Sequence, residues 1–286
     1  MFKNTRSKLI PSMVRPFDKL TTHHERNQPI AVRPELVEGL VHGLSKLLLS
    51  LMLCALSATV QAADIKTLLK QADAYRLPDA QLQVETEVQL FKAGKLDKQR
   101  SYTVYVKPGR RSLVLMQSPS EKGQKVLMLG DDFWQIMPQS QRPLRITPLQ
   151  KLLGDASAGD IATMNWSEDY DGKLVGETKV GDITCLRLDL TATRKGVSYQ
   201  RVELYLAKAD ARPVQADLYV ASDKLAKQAL FTVAQVDGRP QVSAMRLIDQ
   251  IQSNRETVIR YLSRKPRSLP DEYYNPMFLT RSDLKE

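Results

Sequence analysis

Between Leu82 and Ile146 the chain reads as six short β segments in a row, each edged by turn residues. Leu82, Val84, Val88 and Leu90 alternate with Gln81, Gln83, Glu85, Glu87 and Gln89, a period of two that sorts apolar and polar side chains onto opposite sheet faces. Tyr102 to Val106, Ser112 to Met116, Lys125 to Leu129, Phe133 to Met137 and Leu144 to Ile146 follow. Gly94-Lys95, Pro108-Gly109 and Pro119 to Gly123 supply the turns. A parallel crossover needs about a dozen residues, which these turns lack, so the segment must be an antiparallel meander. A meander with one apolar face needs an apolar cover.

Flanking segments offer that cover. Asp64 is placed to cap a helix carrying Ile65, Leu68, Leu69 and Ala72 on one side, ended by Leu77-Pro78-Asp79. After Thr147-Pro148, the spacing of Leu149, Leu152 and Leu153 predicts a helical turn stopped by Gly154. Ala156 to Gly159 reads as a small-residue link, and Asp160 opens a second short helix with Ile161, Met164 and Trp166. Strands then resume over 173–178, 183–192, 199–206, 214–221, 228–236, 242–252 and 256–262. Asp237-Gly238 between two alternating runs is a strong hairpin signal. A short helix or extended tail over Tyr273 to Leu279 ends the chain. The reading is one mainly β domain: a long, strongly curved antiparallel sheet of about 11–13 strands, closed by an N-terminal helix and an inserted helical lid.

The first 62 residues read differently. Lys46, the apolar run Leu47 to Leu56 and the small residues before Ala63 make a secretory signal over 41–62, cleaved after Ala62. Its apolar core is short for a permanent membrane span. Residues 1–40 contain two similar pieces, Val14-Arg15-Pro16 and Val32-Arg33-Pro34, and are expected to be a disordered extension or translated repeat DNA ahead of the true start. Residues 63–286 are the expected folded domain. Of the formal charge of +10, this domain keeps +6. It has no histidine, since His23, His24 and His42 all precede it. Its single cysteine, Cys185, lies in the apolar strand 183–192 and reads as core.

Without histidine, Ser-His-Asp, Cys-His and most zinc arrangements are excluded from the domain. No glycine loop is spaced to cradle phosphate. The acidic clusters Asp131-Asp132, Glu168-Asp169-Asp171 and Asp271-Glu272 sit at turns or helix edges, where exposed carboxylates are ordinary. No catalytic residue, metal or cofactor is expected. Basic residues are dispersed without interleaved aromatics, which argues against nucleic acid.

The apolar pattern says more. Leu113 to Met116, Val126 to Leu129 and Phe133 to Met137 are apolar on both strand faces. Such strands fit either a surface that adapts to flexible apolar ligands or a sheet packed on both sides.

The motifs Pro119-Ser120-Glu121-Lys122-Gly123-Gln124-Lys125-Val126-Leu127, then Trp134 and Pro138, then Arg142-Pro143-Leu144-Arg145-Ile146, resemble the bacterial outer membrane lipoprotein-sorting family. These are the LolA/LolB-like proteins, relatives of the periplasmic lipoprotein carrier and its outer-membrane receptor. Gly154 to Ile161 matches that family's small-residue, acid-containing link, and Pro270 to Phe278 fits its tail. The resemblance spans residues 64–283. It implies an unclosed antiparallel β-barrel with a helical lid, holding acyl chains in its hollow. By position, Leu149, Leu152, Leu153, Ile161, Met164 and Trp166 would form the lid, and Met116, Met128, Trp134 and Met137 would line the hollow. The receptor relatives carry a lipidated N-terminal Cys; residue 63 here is Ala, which favours a soluble carrier.

The expected function is therefore that of a monomeric periplasmic protein binding the acyl chains of lipoprotein or lipid for transfer between membranes, with an inner-membrane transporter as donor. A non-catalytic envelope scaffold with a self-filled core is the alternative, and an enzyme acting on lipid comes third.

Overall fold

A computed structural model describes residues 65–77, 81–162, 165–249 and 255–282. The expected extension over 1–40, the signal over 41–62, the capping Asp64 and the lid residue Met164 lie outside the described residues.

Residues 65–74 form helix α1. The meander follows as β1 (Leu82–Lys92), β2 (Lys95–Lys107), β3 (Arg111–Met116), β4 (Lys125–Leu129), β5 (Asp132–Ile136) and β6 (Leu144–Ile146). A second meander runs through β9 (Tyr170–Val180), β10 (Ile183–Ala192), β11 (Arg201–Ala207), β12 (Pro213–Tyr219), β13 (Leu225–Val236), β14 (Arg239–Asp249) and β15 (Arg255–Pro266). The first and last strands, β1 and β15, pair and fuse both meanders into one 13-stranded sheet with edges at β6 and β9. The edges do not pair, so the barrel stays unclosed.

Local chemistry fixes the register. Ala93-Gly94 and Asp237-Gly238 both have positive φ at both positions, as a two-residue hairpin turn that follows strand twist requires. Curvature comes from extra residues: the register shifts between Glu85 and Thr86, Leu90 and Phe91, Arg187 and Leu188, and Thr232 and Val233. Each such bulge bends its strand and increases local twist.

The connection from edge β6 to edge β9 is the insert. Here the structure corrects the sequence. Leu149, Leu152 and Leu153 do not form a helical turn: β7 (Lys151–Leu153) pairs with β8 (Ala156–Ser157) as a small separate hairpin. Gly154 decides this, at φ +57° in the first turn position. A Cβ there would lie 2.4 Å from Thr257 Oγ1 and 2.9 Å from a Leu90 methyl, so the hairpin approaches the sheet closely only because residue 154 is glycine. The expected second helix is present as α2 (Ala158–Ala162) and α3 (Trp166–Asp169).

Two apolar clusters lie on opposite faces of the sheet. The larger, on the concave face, joins Leu69 and Ala72 of α1, Ile161 and Trp166 of the insert, and inward residues of nearly every strand. The smaller joins Tyr105, Leu113, Leu115, Leu127 and Ile136 to Leu269, Tyr274 and Leu279 of the C-terminal segment. That segment folds as a 3₁₀ turn (Asp271–Tyr274) and helix α4 (Pro276–Leu279), whose first N–H groups are capped by the Asn275 side chain. Strands β3 and β4 are thus packed on both sides, which explains why they read as continuous apolar runs. Cys185 is a fully buried free thiol.

Candidate functional site: a lidded hollow

The expected lining and lid residues separate by register. Met116 and Met128 point into the concave face at 4% and 5% exposure. Leu153, Ile161 and Trp166 are buried in the same cluster, with half-buried Leu152 packed against it. Three residues fall elsewhere. Trp134 packs against the small cluster on the other face, because Phe133 takes the inward position. Its ring lies under the Arg145 guanidinium at 5.3 Å. Met137 follows the end of β5 and is exposed, and Leu149 is exposed in the turn before β7. Met116, Met128, Leu152, Leu153, Ile161 and Trp166 therefore share the concave apolar cluster, and Trp134, Met137 and Leu149 lie outside it.

What holds the lid is polar. Asp160 of α2 is buried and receives the Lys227 ammonium at 2.8 Å, the Tyr199 hydroxyl at 2.9 Å, and both the backbone N–H and hydroxyl of Ser157. Burial alone would push its carboxyl up, but Lys227 and Ser157 hold it below the usual range. Lys227 also donates to the Asp155 carbonyl, pinning the hairpin beside α2. Burial, followed by the nearby Asp160 charge, drives the Tyr199 hydroxyl well above its ordinary pKa, so it stays a donor.

A second anchor joins α1 to α3. The Asp73 carboxylate accepts the backbone N–H groups of Trp166 and Ser167 at 3.0 and 2.7 Å, so one helix caps the other. Burial raises the Asp73 pKa to about 6, against the lowering effect of Arg76 and these bonds. Arg76 stacks over the Trp166 ring at 4.3 Å, while Phe231 meets the same ring edge-on at 5.6 Å. A third anchor ends the insert: Arg110 and Arg194 both bind buried Asp169, and both also reach Asp131, at 3.2 and 3.4 Å.

Sequence reasoning passed over Asp73, Arg76, Lys227, Tyr199 and Arg264. Asp160 was visible as a helix start; its lone charge among Ala158, Gly159 and Ile161 was the one signal that a buried partner was needed. Among the described residues no His/Cys/Asp/Glu group could hold a metal ion. Nor is any helix among them long and apolar enough to cross a membrane.

An unclosed antiparallel sheet with an apolar concave face under a helical lid defines a LolA-like protein. The sequence model of a family described as "Uncharacterized protein" matches residues 109–281, and the chain belongs to that family, with a LolA-like fold. Among solved structures it is similar to a LolA superfamily protein from Nitrosomonas europaea, with 29% identity, TM-score 0.68, and coverage of 73% of this chain and 96% of that one. A DUF1329 family protein from Desulfovibrio piger shares the fold at 24% identity and TM-score 0.62, over 75% and 97% of the two chains. So does a domain assigned to the outer membrane lipoprotein-sorting proteins of Vibrio parahaemolyticus, at 17% identity and TM-score 0.60, over 76% and 98%. The curated proteins give no match.

Proposed function

We propose that the protein is a periplasmic carrier that shelters acyl chains of a lipid or lipoprotein in the hollow during transfer from an inner-membrane donor. One observation carries this reading: the apolar concave face is covered by helix α1 and by insert helices of four and five residues, which polar contacts and not pairing with the large sheet hold in place. Helices this short have no stability of their own. They can leave as a unit once Asp73, Asp160 and Asp169 lose their partners. Acyl chains then replace Trp166, Ile161 and Leu69 against Met116 and Met128. Each buried CH₂ contributes about 0.8 kcal/mol, so the cargo offsets what the departing side chains lose. Such an exchange between two fillings of one hollow allows release as well as capture. Only burial is involved, with no bond made or broken, and a monomer suffices.

A second reading has its own support. The space bounded by Arg76, Thr86, Val104, Ile161, Tyr261 and Arg264 is only about 10 Å³, so this part of the hollow is filled by the protein's own side chains. A scaffold with a self-filled sheet would look the same. Mass spectrometry of organic extracts from gently purified protein separates them. A stoichiometric lipid or acylated peptide supports the carrier. A clean extract together with no uptake of a fluorescent fatty acid makes the protein a scaffold.

A further inference from the structure

We propose that Arg264 is a head-group site: it receives the anionic oxygen group, carboxylate or phosphate, of an acyl-chain lipid held in the hollow. This rests on the carrier reading and names its cargo class as acidic amphiphiles. Arg264 stands on β15 opposite Val84, an inward position of β1. The bulge at Glu85/Thr86 leaves Leu262 unpaired and outward at 60% exposure, so that Tyr261 and Arg264 both face the hollow. Without that extra residue the two side chains would lie on opposite faces.

The guanidinium is only partly satisfied. Nη2 donates to the Val242 carbonyl at 2.6 Å and the group lies over the Tyr261 ring at 4.9 Å. Nε and Nη1 are buried and find no acceptor among the described residues. Among the described residues no carboxylate pairs with Arg264. The nearby acids are committed: Asp73 to the N–H groups of α3, and Asp160 to Lys227 and Tyr199. A second buried guanidinium, Arg76, lines the same space with Leu77, Val84, Val104 and Ile161. Two arginines side by side among apolar residues, one with unmet donors, form a locus of positive potential that an oxyanion satisfies. Burial and Arg76 also lower the Arg264 pKa, as expected of a cation lacking its counter-ion.

The lid decides access. Arg76 and Leu77 follow α1, and Ile161 belongs to α2, so withdrawal of these helices opens room at Arg264 while exposing the apolar face. Head group and chain thus enter together.

The test compares binding of cis-parinaric acid and its methyl ester to the purified protein at neutral pH. The ester is the more hydrophobic, so burial alone favours it. The expected result is at least tenfold tighter binding of the acid, a difference of about 1.4 kcal/mol. In Arg264→Gln the acid-to-ester ratio should fall to about one, and dodecyl phosphate should compete in the wild type but not in the variant. Equal binding of acid and ester by the wild type would overturn the head-group site while leaving the carrier intact, and needs no variant to be folded. A ratio preserved in Arg264→Gln would also overturn it. Displacement of the acid by millimolar inorganic phosphate alone would make this a free-anion site and not a lipid site. Binding of neither acid nor ester would remove the carrier reading itself.

Discussion

On the concave face the cover is an insert whose helices hold their place through buried charges; on the opposite face it is a C-terminal tail held mainly by three apolar side chains. Leu269, Tyr274 and Leu279 plug the outer face of β3 to β5, each burial contributing roughly 1.5–3 kcal/mol. Buried Lys125 donates to the Leu279 and Ser282 carbonyls, while the tail's ion pairs lie at the rim, where Lys107 and Arg111 meet Asp271, whose side chain is 76% exposed. Exposed pairs of this kind add about 1 kcal/mol or less. The lid reverses the weighting, with Asp73, Asp160 and Asp169 nearly out of solvent. Apolar plugs yield gradually, whereas a buried ion pair is either made or broken. The lid is therefore the cover suited to two discrete positions, and the tail is the one suited to stay.

Cutting the strongest lid contact should show this most clearly. Lys227→Met leaves Asp160 buried beside Tyr199 and Ser157 without its cation and should cost about 3–5 kcal/mol in urea denaturation. The double variant Asp160→Asn/Lys227→Met should recover most of that loss. Additive losses would mean that the two groups act independently and that the lid has no ionic latch.

A smaller effect should follow pH. Burial lifts the Asp73 carboxyl from 3.8 to about 6, so the folded protein keeps a proton that the unfolded chain has released. That stabilisation is complete below about pH 4 and is lost as pH rises through about 6, a swing of up to about 3 kcal/mol. Asn at 73 can still accept one of the two N–H groups through its single amide oxygen, loses the other at every pH, and does not titrate. Relative to Asp73→Asn, the wild type should lose stability between pH 4.5 and 7.5; parallel curves for the two proteins would refute the coupling. The tail carries the contrasting case. Leu279→Ala should cost about 2–3 kcal/mol, with no change in acyl-chain binding, because its cavity opens on the outer face.

Much of this division was legible in the sequence and some was not. Alternation in β1, the Asp237-Gly238 turn and the short polar links gave the strands and their antiparallel order. The two-sided apolar runs of β3 and β4 showed that both faces are covered, but not by what. Leu149, Leu152 and Leu153 are ambiguous because three leucines at helical spacing over five residues also fit a strand and its turn, and a glycine that suits a helix stop suits a hairpin turn equally, as Gly154 does. Trp134 misled because assigning the inward face needs one fixed residue per strand, and a one-residue slip reverses every assignment. The lid's anchors are contacts between residues about 25 to 100 apart, such as Arg194 to Asp169, Tyr199 to Asp160 and Asp73 to Trp166, and no local spacing encodes them. Arg264 was hidden by the bulge, which places an inward charge where simple alternation expects otherwise.

The sharpest comparison of the faces uses one substitution on each, with the smallest effect on folding. Leu152 is half-buried against the concave cluster at the insert's own hairpin, and Trp134 is half-buried on the outer face under Arg145. Glutamate at either site leaves part of the side chain in water, so each change should cost only about 1 kcal/mol and preserve the far-ultraviolet β signal. Their effects on cargo should diverge. Leu152→Glu puts a carboxylate where the cover meets the acyl chains and should weaken fluorescent fatty-acid retention about tenfold. Trp134→Glu disturbs only the surface beneath the tail, and retention should stay within about twofold of the wild type. Equal losses from both would mean that the sheet responds as one body and that the outer face also reports on cargo. A larger loss from Trp134→Glu would place the binding surface under the tail and leave the helical lid as mere filling.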